Sequence, residues 1–517
     1  MGDSLFHYLR NRVHDDRIIT HTQGKNNSLN ISVEVNNKFQ YDYCIDYSNK
    51  KWVLKAKDKK TALWLIRQCV RRLADSDSRI DANDLPPSII NWENPCANFD
   101  FVYRDPHLSP NLKEKDPKVP FSGANSVEEY WDIWGHNLNK ILSKEALSKD
   151  IYARRNSDID TLQFCFSSDD FFNSISSYLT DSIKKLHSGR FVIMPEDSRT
   201  ACTCDRCKEL GNTDYYATPA VLELIDRLAS AYPKYSFYTA AYHSTMKPPS
   251  RQKFRSKKNN ISGILISTSD LPKGISHHLQ NDSDKEFKET VEKWKFYTDT
   301  IYVWDYAANF NDFLTPLPSL YVLKKNLEFY RGCGIKGVFL QGSGYDYSPF
   351  DDMKTFVSTA LMINGRLHVD SLCRSYFSQF YPSSGKILAD YYLSLEQSME
   401  QKKKTYDLHG DLNNAIKSYF IVEDFMAFYQ KLDSLISISE TGEKERLEKL
   451  YTALSFTWLQ IVRTQQTDPS TPPKKITEII PVVKRLSKYS QYGIKHYREK
   501  DGCLDKYLGY WDSYIGR

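Results

Sequence analysis

The chain has 517 residues, of which 40% are hydrophobic and 26% charged, with a net charge of +5. That length exceeds a single compact core and argues for two or three domains, and so small an excess of charge gives no footprint for nucleic acid. No run of about 18 apolar residues occurs, so no membrane-spanning segment is expected.

The opening MGDSLFHYLRNRVHDD carries no apolar leader. RIITHTQ, LNISVEVNN, YDYCIDYS and KWVLKAK follow and read as strands. They lead into KKTALWLIRQCVRRLA, where Leu63, Leu65, Ile66, Cys69, Val70 and Leu73 recur at helical spacing. We expect a small α+β domain over residues 1–90, closed by the linker-like DSDSRIDANDLPPS.

From Phe99 onward, eight short apolar, β-branched or aromatic runs appear: FDFVYRD, YWDIWGHN, LQFCFSS, FVIMPED, YSFYTAAYHS, ISGILIST, IYVWDY and IKGVFLQG. Helix-compatible segments such as TPAVLELIDRLASAY separate most of them, which predicts a (β/α)8 TIM-like barrel over 91–360. The second run is ambiguous, because EEYWDIWGHNLNKIL also fits a helix. The basic stretch RQKFRSKKNN reads as a solvated loop between strands. Beyond Met362 the chain runs from Pro382 to Pro469 without proline and shows helical periodicity, predicting a C-terminal α-helical domain over 361–517.

A barrel of this kind places its chemistry at the C-terminal ends of its strands. Those ends, with the loops that follow, hold Arg104, His136, Glu196 and Asp197, Tyr242, Trp304, Asp305, Tyr306, Asn309, Gln341 and Tyr345. Loops after strands are commonly polar, so each residue alone has a bland reading; their gathering at one rim suggests a cleft. Trp304 and Tyr306 supply an aromatic wall with hydrogen-bonding neighbours, as sugar recognition requires. Trp304 is equally plausible as core filler, since alternation turns one of Trp304 and Asp305 away from the mouth. Arg104 could fork onto two hydroxyls or pair with a nearby acid, and His136 could be structural.

FVIMPEDSRTACTCDRC holds both an acid pair and three cysteines. Two adjacent carboxylates can divide the work of one site, one ionised and one held protonated. For a 2-acetamido sugar that division suffices: the acetamido oxygen attacks the anomeric carbon, one carboxylate orients the amide, and the other protonates the leaving oxygen. A conventional glycosidase needs a second acid across the ring, which Asp305 could supply. Cys202, Cys204 and Cys207 make only three ligands in CxCxxC spacing, and a fourth would have to come from elsewhere, such as Cys165. We therefore expect no metal and no cofactor, with the cysteines supporting the loop. The ten cysteines are scattered and read as buried thiols more than as a disulfide framework.

MPEDSRTACTCDRC, FYTAAYHSTMKPP, VWDYAANFNDFLTPLP and GVFLQGSGYDYS, in that order, resemble glycoside hydrolase family 163 and its uncharacterised Bacteroidetes relatives, over roughly Phe99 to Tyr392. The resemblance implies a retaining, substrate-assisted endo-β-N-acetylglucosaminidase that releases complex N-glycans from glycoproteins. It implies export to the periplasm or cell surface, with a glycan or glycoprotein as substrate. By analogy with hexosaminidases, it makes Glu196 the residue that polarises the acetamido group and Asp197 the general acid. One departure stands out: relatives carry an acid near the eighth strand end, where this chain has Leu340 and Gln341. Two alternatives stay open: an exo-β-hexosaminidase or α-glucuronidase-like glycosidase, and a non-catalytic glycan-binding protein with a degenerate site.

Overall fold

The computed structural model describes residues 30–48, 51–76, 82–112, 123–142, 148–155, 158–182, 186–249, 260–273, 282–465 and 475–516. The expected strand RIITHTQ lies outside these residues, as do nearly all of the basic stretch RQKFRSKKNN and part of the linker-like segment.

The N-terminal unit is a four-stranded sheet. Its strands are β1 (Asn30–Val35), β2 (Tyr43–Ser48), β3 (Lys51–Ala56) and β4 (Cys96–Ala97), in the order β1-β3-β2-β4. The helix Lys59–Ala74 packs on it, and Asp58 caps that helix by accepting from the Thr61 amide at 2.8 Å. Trp64, Leu65, Cys69 and Val70 form the buried stripe. A disulfide joins Cys44 on β2 to Cys96 on β4, so these two thiols are a structural bridge, contrary to the expectation of buried free thiols.

Six of the eight runs expected to build the barrel form one curled, all-parallel sheet. It comprises β5 (Tyr103–His107), β8 (Arg190–Val192), β9 (Ser236–Ala241), β10 (Gly263–Ser267), β11 (Ile301–Tyr306) and β12 (Gly337–Gln341), ordered β5-β12-β11-β10-β9-β8. Between β5 and β8 in the chain, β6 (Tyr152–Arg155) and β7 (Asp158–Phe164) pair antiparallel as a separate hairpin. The run LQFCFSS thus leaves the main sheet. Leu162 is 79% exposed and Ile159 38%, whereas a parallel barrel strand must be covered on both faces.

YWDIWGHN is mostly irregular and contributes one parallel bridge, Ile133 to Phe191, at the free edge of β8. Its aromatic residues pack against the inner face of the sheet. Trp131 reaches the interior beside Tyr103, Tyr238, Tyr302 and Phe339, and its indole N–H donates to the Tyr103 hydroxyl at 3.0 Å. Trp131 meets Tyr238 edge to face, with ring centroids 4.9 Å apart. At Gly263 a Cβ would come within 2.6 Å of the Tyr238 ring, and at Gly337 one would come within 2.7 Å of both Tyr103 and Tyr302. Both glycines make room for this aromatic filling.

The outer face of the sheet, including Phe191, Phe237, Ile264, Val303 and Val338, packs on helices Asp169–Ser182, Thr218–Ala231, Leu320–Gly332 and Asp351–Ile363. Helices Val369–Phe380, Gly385–Lys402, Val422–Ile438, Thr441–Gln465, Ile476–Leu486 and Leu504–Ile515 continue the same core. Glu396, fully buried, accepts from the Leu320 and Tyr321 amides at 2.8 and 3.1 Å, fastening the C-terminal helices to the start of helix Leu320–Gly332.

Candidate active site

The ends of the parallel strands open on a pocket of about 370 Å³. Asp197 follows β8, Tyr242 follows β9, Ser267 ends β10 and Ser269 lies just beyond it, Trp304 and Tyr306 belong to β11, and Gln341 ends β12. His136 joins them from the irregular segment, and His409, Glu499 and Lys500 close the pocket from the C-terminal part.

Local chemistry explains how Asp197 arrives there. Pro195 has no amide hydrogen to continue the ladder beyond β8. The Ser198 amide then donates to the Glu196 carbonyl at 2.6 Å, turning the chain sharply around Asp197. The Asp197 side chain is 58% exposed and accepts from the Tyr242 hydroxyl at 3.0 Å. Burial, followed by the Asp197 charge, pushes the Tyr242 phenol above its ordinary value, so it acts as a donor. A tight turn aims that tyrosine: the Thr245 amide donates to the Tyr242 carbonyl at 3.0 Å, and the Thr245 hydroxyl to the Ala240 carbonyl at 2.7 Å. His243 holds a left-handed φ of 48°, and its Nε2 lies 3.9 Å from Asp197 Oδ1. Strained backbone of this kind persists where its surroundings over-determine it. Burial and then the Arg199 charge lower the His243 pKa.

His136 Nδ1 lies 2.7 Å from the Pro195 carbonyl oxygen. A carbonyl only accepts, so the hydrogen of this contact is on Nδ1, and Nε2 is left for other partners. The Trp304 indole stacks on Trp134 at 5.0 Å and donates to Gln341 Oε1 at 2.7 Å, which orients the Gln341 amide. The Tyr306 hydroxyl pairs with Ser267 at 3.1 Å.

Several residues expected at this rim stand elsewhere. Asp305 is fully buried on the outer face, because alternation along β11 sends Trp304 into the pocket and Asp305 away from it. Its Oδ1 accepts from Lys273 Nζ at 2.7 Å and Thr268 Oγ1 at 2.6 Å; its Oδ2 accepts from Asn326 and Tyr330, each at 2.9 Å. It is a structural hub and not the second acid. Arg104 is buried outside the pocket, donating to the Gly123 and Phe101 carbonyls and lying over the Phe99 ring. Asn309 donates to the Gly410 carbonyl at 2.9 Å, holding the loop that brings His409 in, and is not itself in the lining. Tyr345 is 51% exposed and bonds Glu128. Glu196 is half-buried and also outside the lining; one of its carboxylate oxygens is buried, and its amide donates to Gln163 Oε1 at 3.2 Å.

The sequence reading missed Ser267, Ser269, Phe310, His409, Glu499 and Lys500. The serines had a signal, since Ser267 lies near the end of the expected strand ISGILIST and Ser269 directly follows it; Glu499 had none, lying about 190 residues past β11. It is placed by its amide, which donates to the Phe310 carbonyl at 2.9 Å.

A family model described as Domain of unknown function (DUF4838) matches residues 109–393, more than half of the chain. The chain belongs to the DUF4838 family. The DUF4838 segment spans β6 to β12 and carries every pocket residue from His136 to Gln341, whereas β5 precedes it and His409, Glu499 and Lys500 follow it. No curated protein matches the chain. Among solved structures it is similar to a GH138 enzyme targeting pectin rhamnogalacturonan II, at 9% identity over 99% of this chain and 96% of that one, with a TM-score of 0.46. It is also similar to beta-N-acetylhexosaminidase from Bacteroides fragilis NCTC 9343, at 12% identity over 70% of this chain and 84% of that one, with a TM-score of 0.38.

Proposed function

We propose that this protein is a glycosidase acting at the Asp197 pocket, and specifically a retaining, substrate-assisted endo-β-N-acetylglucosaminidase acting on complex N-glycans. The observation that carries the reading is an accessible carboxylate, Asp197, bonded to Tyr242 in a pocket that also holds the indole wall of Trp304. An aromatic face covers the apolar side of a pyranose, while Gln341, His136 Nε2 and Ser267 can meet its hydroxyls and acetamido group. The linkage itself is taken from the motif resemblance to family 163.

In this reading Asp197 protonates the leaving oxygen. The acetamido oxygen of the substrate attacks the anomeric carbon, and the oxazolinium so formed is opened by water, with Asp197 now accepting the proton. Glu196 polarises the acetamido group only if the turn at 196–198 swings its half-buried carboxylate inward. A groove of about 1230 Å³ runs by His243, next to Tyr242, and is lined by the exposed rings of Tyr215 and Phe296. That groove supports an endo mode, which needs room for sugars on both sides of the scissile bond. The Cys44–Cys96 bridge fits the proposed export to an oxidising compartment.

A second reading has its own support. Glu499 is another carboxylate in the lining, and a conventional two-carboxylate glycosidase would pair it with Asp197. Incubation with a complex N-glycoprotein and mass spectrometry of the products tests the first reading. Released glycans with one GlcNAc left on the protein support it. Cleavage only of short aryl N-acetylglucosaminides supports an exo enzyme, and binding without turnover of either supports a glycan-binding protein.

A further inference from the structure

Four cysteines from two separate segments meet beneath the loop that carries Asp197. Cys165 directly follows β7, while Cys202, Cys204 and Cys207 lie in the loop after β8 and the short helix Asp205–Leu210. Their four sulfurs all lie within 4.8 Å of one another. We propose that Cys165, Cys202, Cys204 and Cys207 bind one structural zinc ion as a tetrathiolate site.

The spacing carries this assignment. Cys165 Sγ stands 3.7 Å from Cys204 Sγ and 3.8 Å from Cys207 Sγ. A tetrahedral ion with bonds of about 2.3 Å to each sulfur sets the sulfurs about 3.8 Å apart. A disulfide needs about 2.05 Å, so two bridges do not describe the cluster. The ligand set is complete, with four donors of one soft type and CxCxxC spacing on one side, which is the composition of a closed structural site.

The surroundings fit thiolates. The Arg154 amide donates to Cys202 Sγ at 3.2 Å, and the Ser167 hydroxyl lies 3.0 Å from Cys207 Sγ and 3.4 Å from Cys165 Sγ. Donors of this kind around the ligands stabilise negative sulfur and fix its orientation. Cys165, Cys202 and Cys207 are at most 2% exposed, and Cys204 is half-buried, so the site has no open face for substrate. The ion's role is therefore to tie the β6–β7 hairpin to the loop after β8, replacing the sheet pairing that β7 does not make. This revises the expectation that the cysteines support the loop without metal; it keeps their structural role and is independent of the glycosidase reading.

The test uses the full chain, purified without chelator. Elemental analysis should find one zinc per chain. Stepwise titration with an organomercurial should release that zinc into a colorimetric indicator as four thiols react. Cys165→Ser should lower bound zinc at least tenfold, whereas Cys373→Ser, a buried cysteine elsewhere, should leave it unchanged. Should Cys165→Ser fail to fold, protein produced with cobalt should show intense thiolate-to-cobalt charge transfer with tetrahedral d–d bands. Metal-free folded protein, a stoichiometric metal other than zinc, or a peptide map with a disulfide among these four cysteines would overturn the proposal.

Discussion

Tyr242 donates its phenolic hydrogen to Asp197 across 3.0 Å, joining the end of β9 to the turn after β8 at the mouth of the sheet. Asp197→Asn should keep the fold and lose proton transfer to the leaving group. General acid–base catalysis contributes about 10²- to 10⁴-fold, or roughly 3 to 5 kcal/mol. The loss should shrink for an aryl substrate with an activated phenol, which hardly needs the proton. An equal loss on both substrates would remove Asp197 from the acid role.

Glu196→Gln should be milder than Asp197→Asn on a substrate with a poor leaving group, since Glu196 lies outside the pocket lining. A tenfold or smaller effect is expected in kcat for an N-acetylglucosaminide. A loss of about 10³-fold on good and poor leaving groups alike would instead show that the turn swings and Glu196 orients the acetamido group. Glu499→Gln measured beside it decides the two-carboxylate reading: near-normal kcat is expected, and a loss matching that of Asp197→Asn would favour the conventional mechanism.

Tyr242→Phe should lower kcat/KM about tenfold or somewhat more, because a hydrogen bond to a charged group is worth roughly 1.5 to 3 kcal/mol. An unchanged kcat/KM would make this contact structural only.

Lys273 and Asp305 form a fully buried pair at 2.7 Å. Burial alone would raise the Asp305 pKa, but Lys273 and the surrounding donors hold it at about 2, below the ordinary aspartate value of 3.8. The folded pKa is the lower one, so this stabilisation of about 2 kcal/mol is present above pH 4 and is lost as pH falls through 2. Lys273→Met should leave a buried charge unpaired and destabilise the fold by about 3 to 5 kcal/mol, read by denaturant unfolding at neutral pH. A loss under 1 kcal/mol would show that the hydroxyl and amide donors suffice.

The Cys44–Cys96 bridge closes a segment with a sequence separation of 52. Loop-closure entropy for that length corresponds to about 4 kcal/mol. Replacing both cysteines by serine should lower the melting temperature of the N-terminal unit and leave hydrolysis near normal. An unchanged melting temperature would mean that the bridge does not form in solution.

Local pattern alone determined six parallel strands, the helix after β3, the helical C-terminal part, and the strand ends that carry Asp197, Tyr242, Trp304, Tyr306 and Gln341. Strand periodicity and helical spacing are short-range properties, so they are written in consecutive residues. Which face each strand turns inward was not written there. Alternation requires Trp304 and Asp305 to part, and only closure of the sheet around Tyr103, Trp131, Tyr238 and Tyr302 decides that Trp304 takes the pocket. LQFCFSS reads as a barrel strand by itself, yet lateral pairing is a competition between distant partners, and β6 takes it. Glu499 reaches the pocket, and Cys165 reaches Cys204 and Cys207, through contacts between segments remote in sequence. Such contacts are settled by the packing of the whole core, to which no single stretch of residues holds the key.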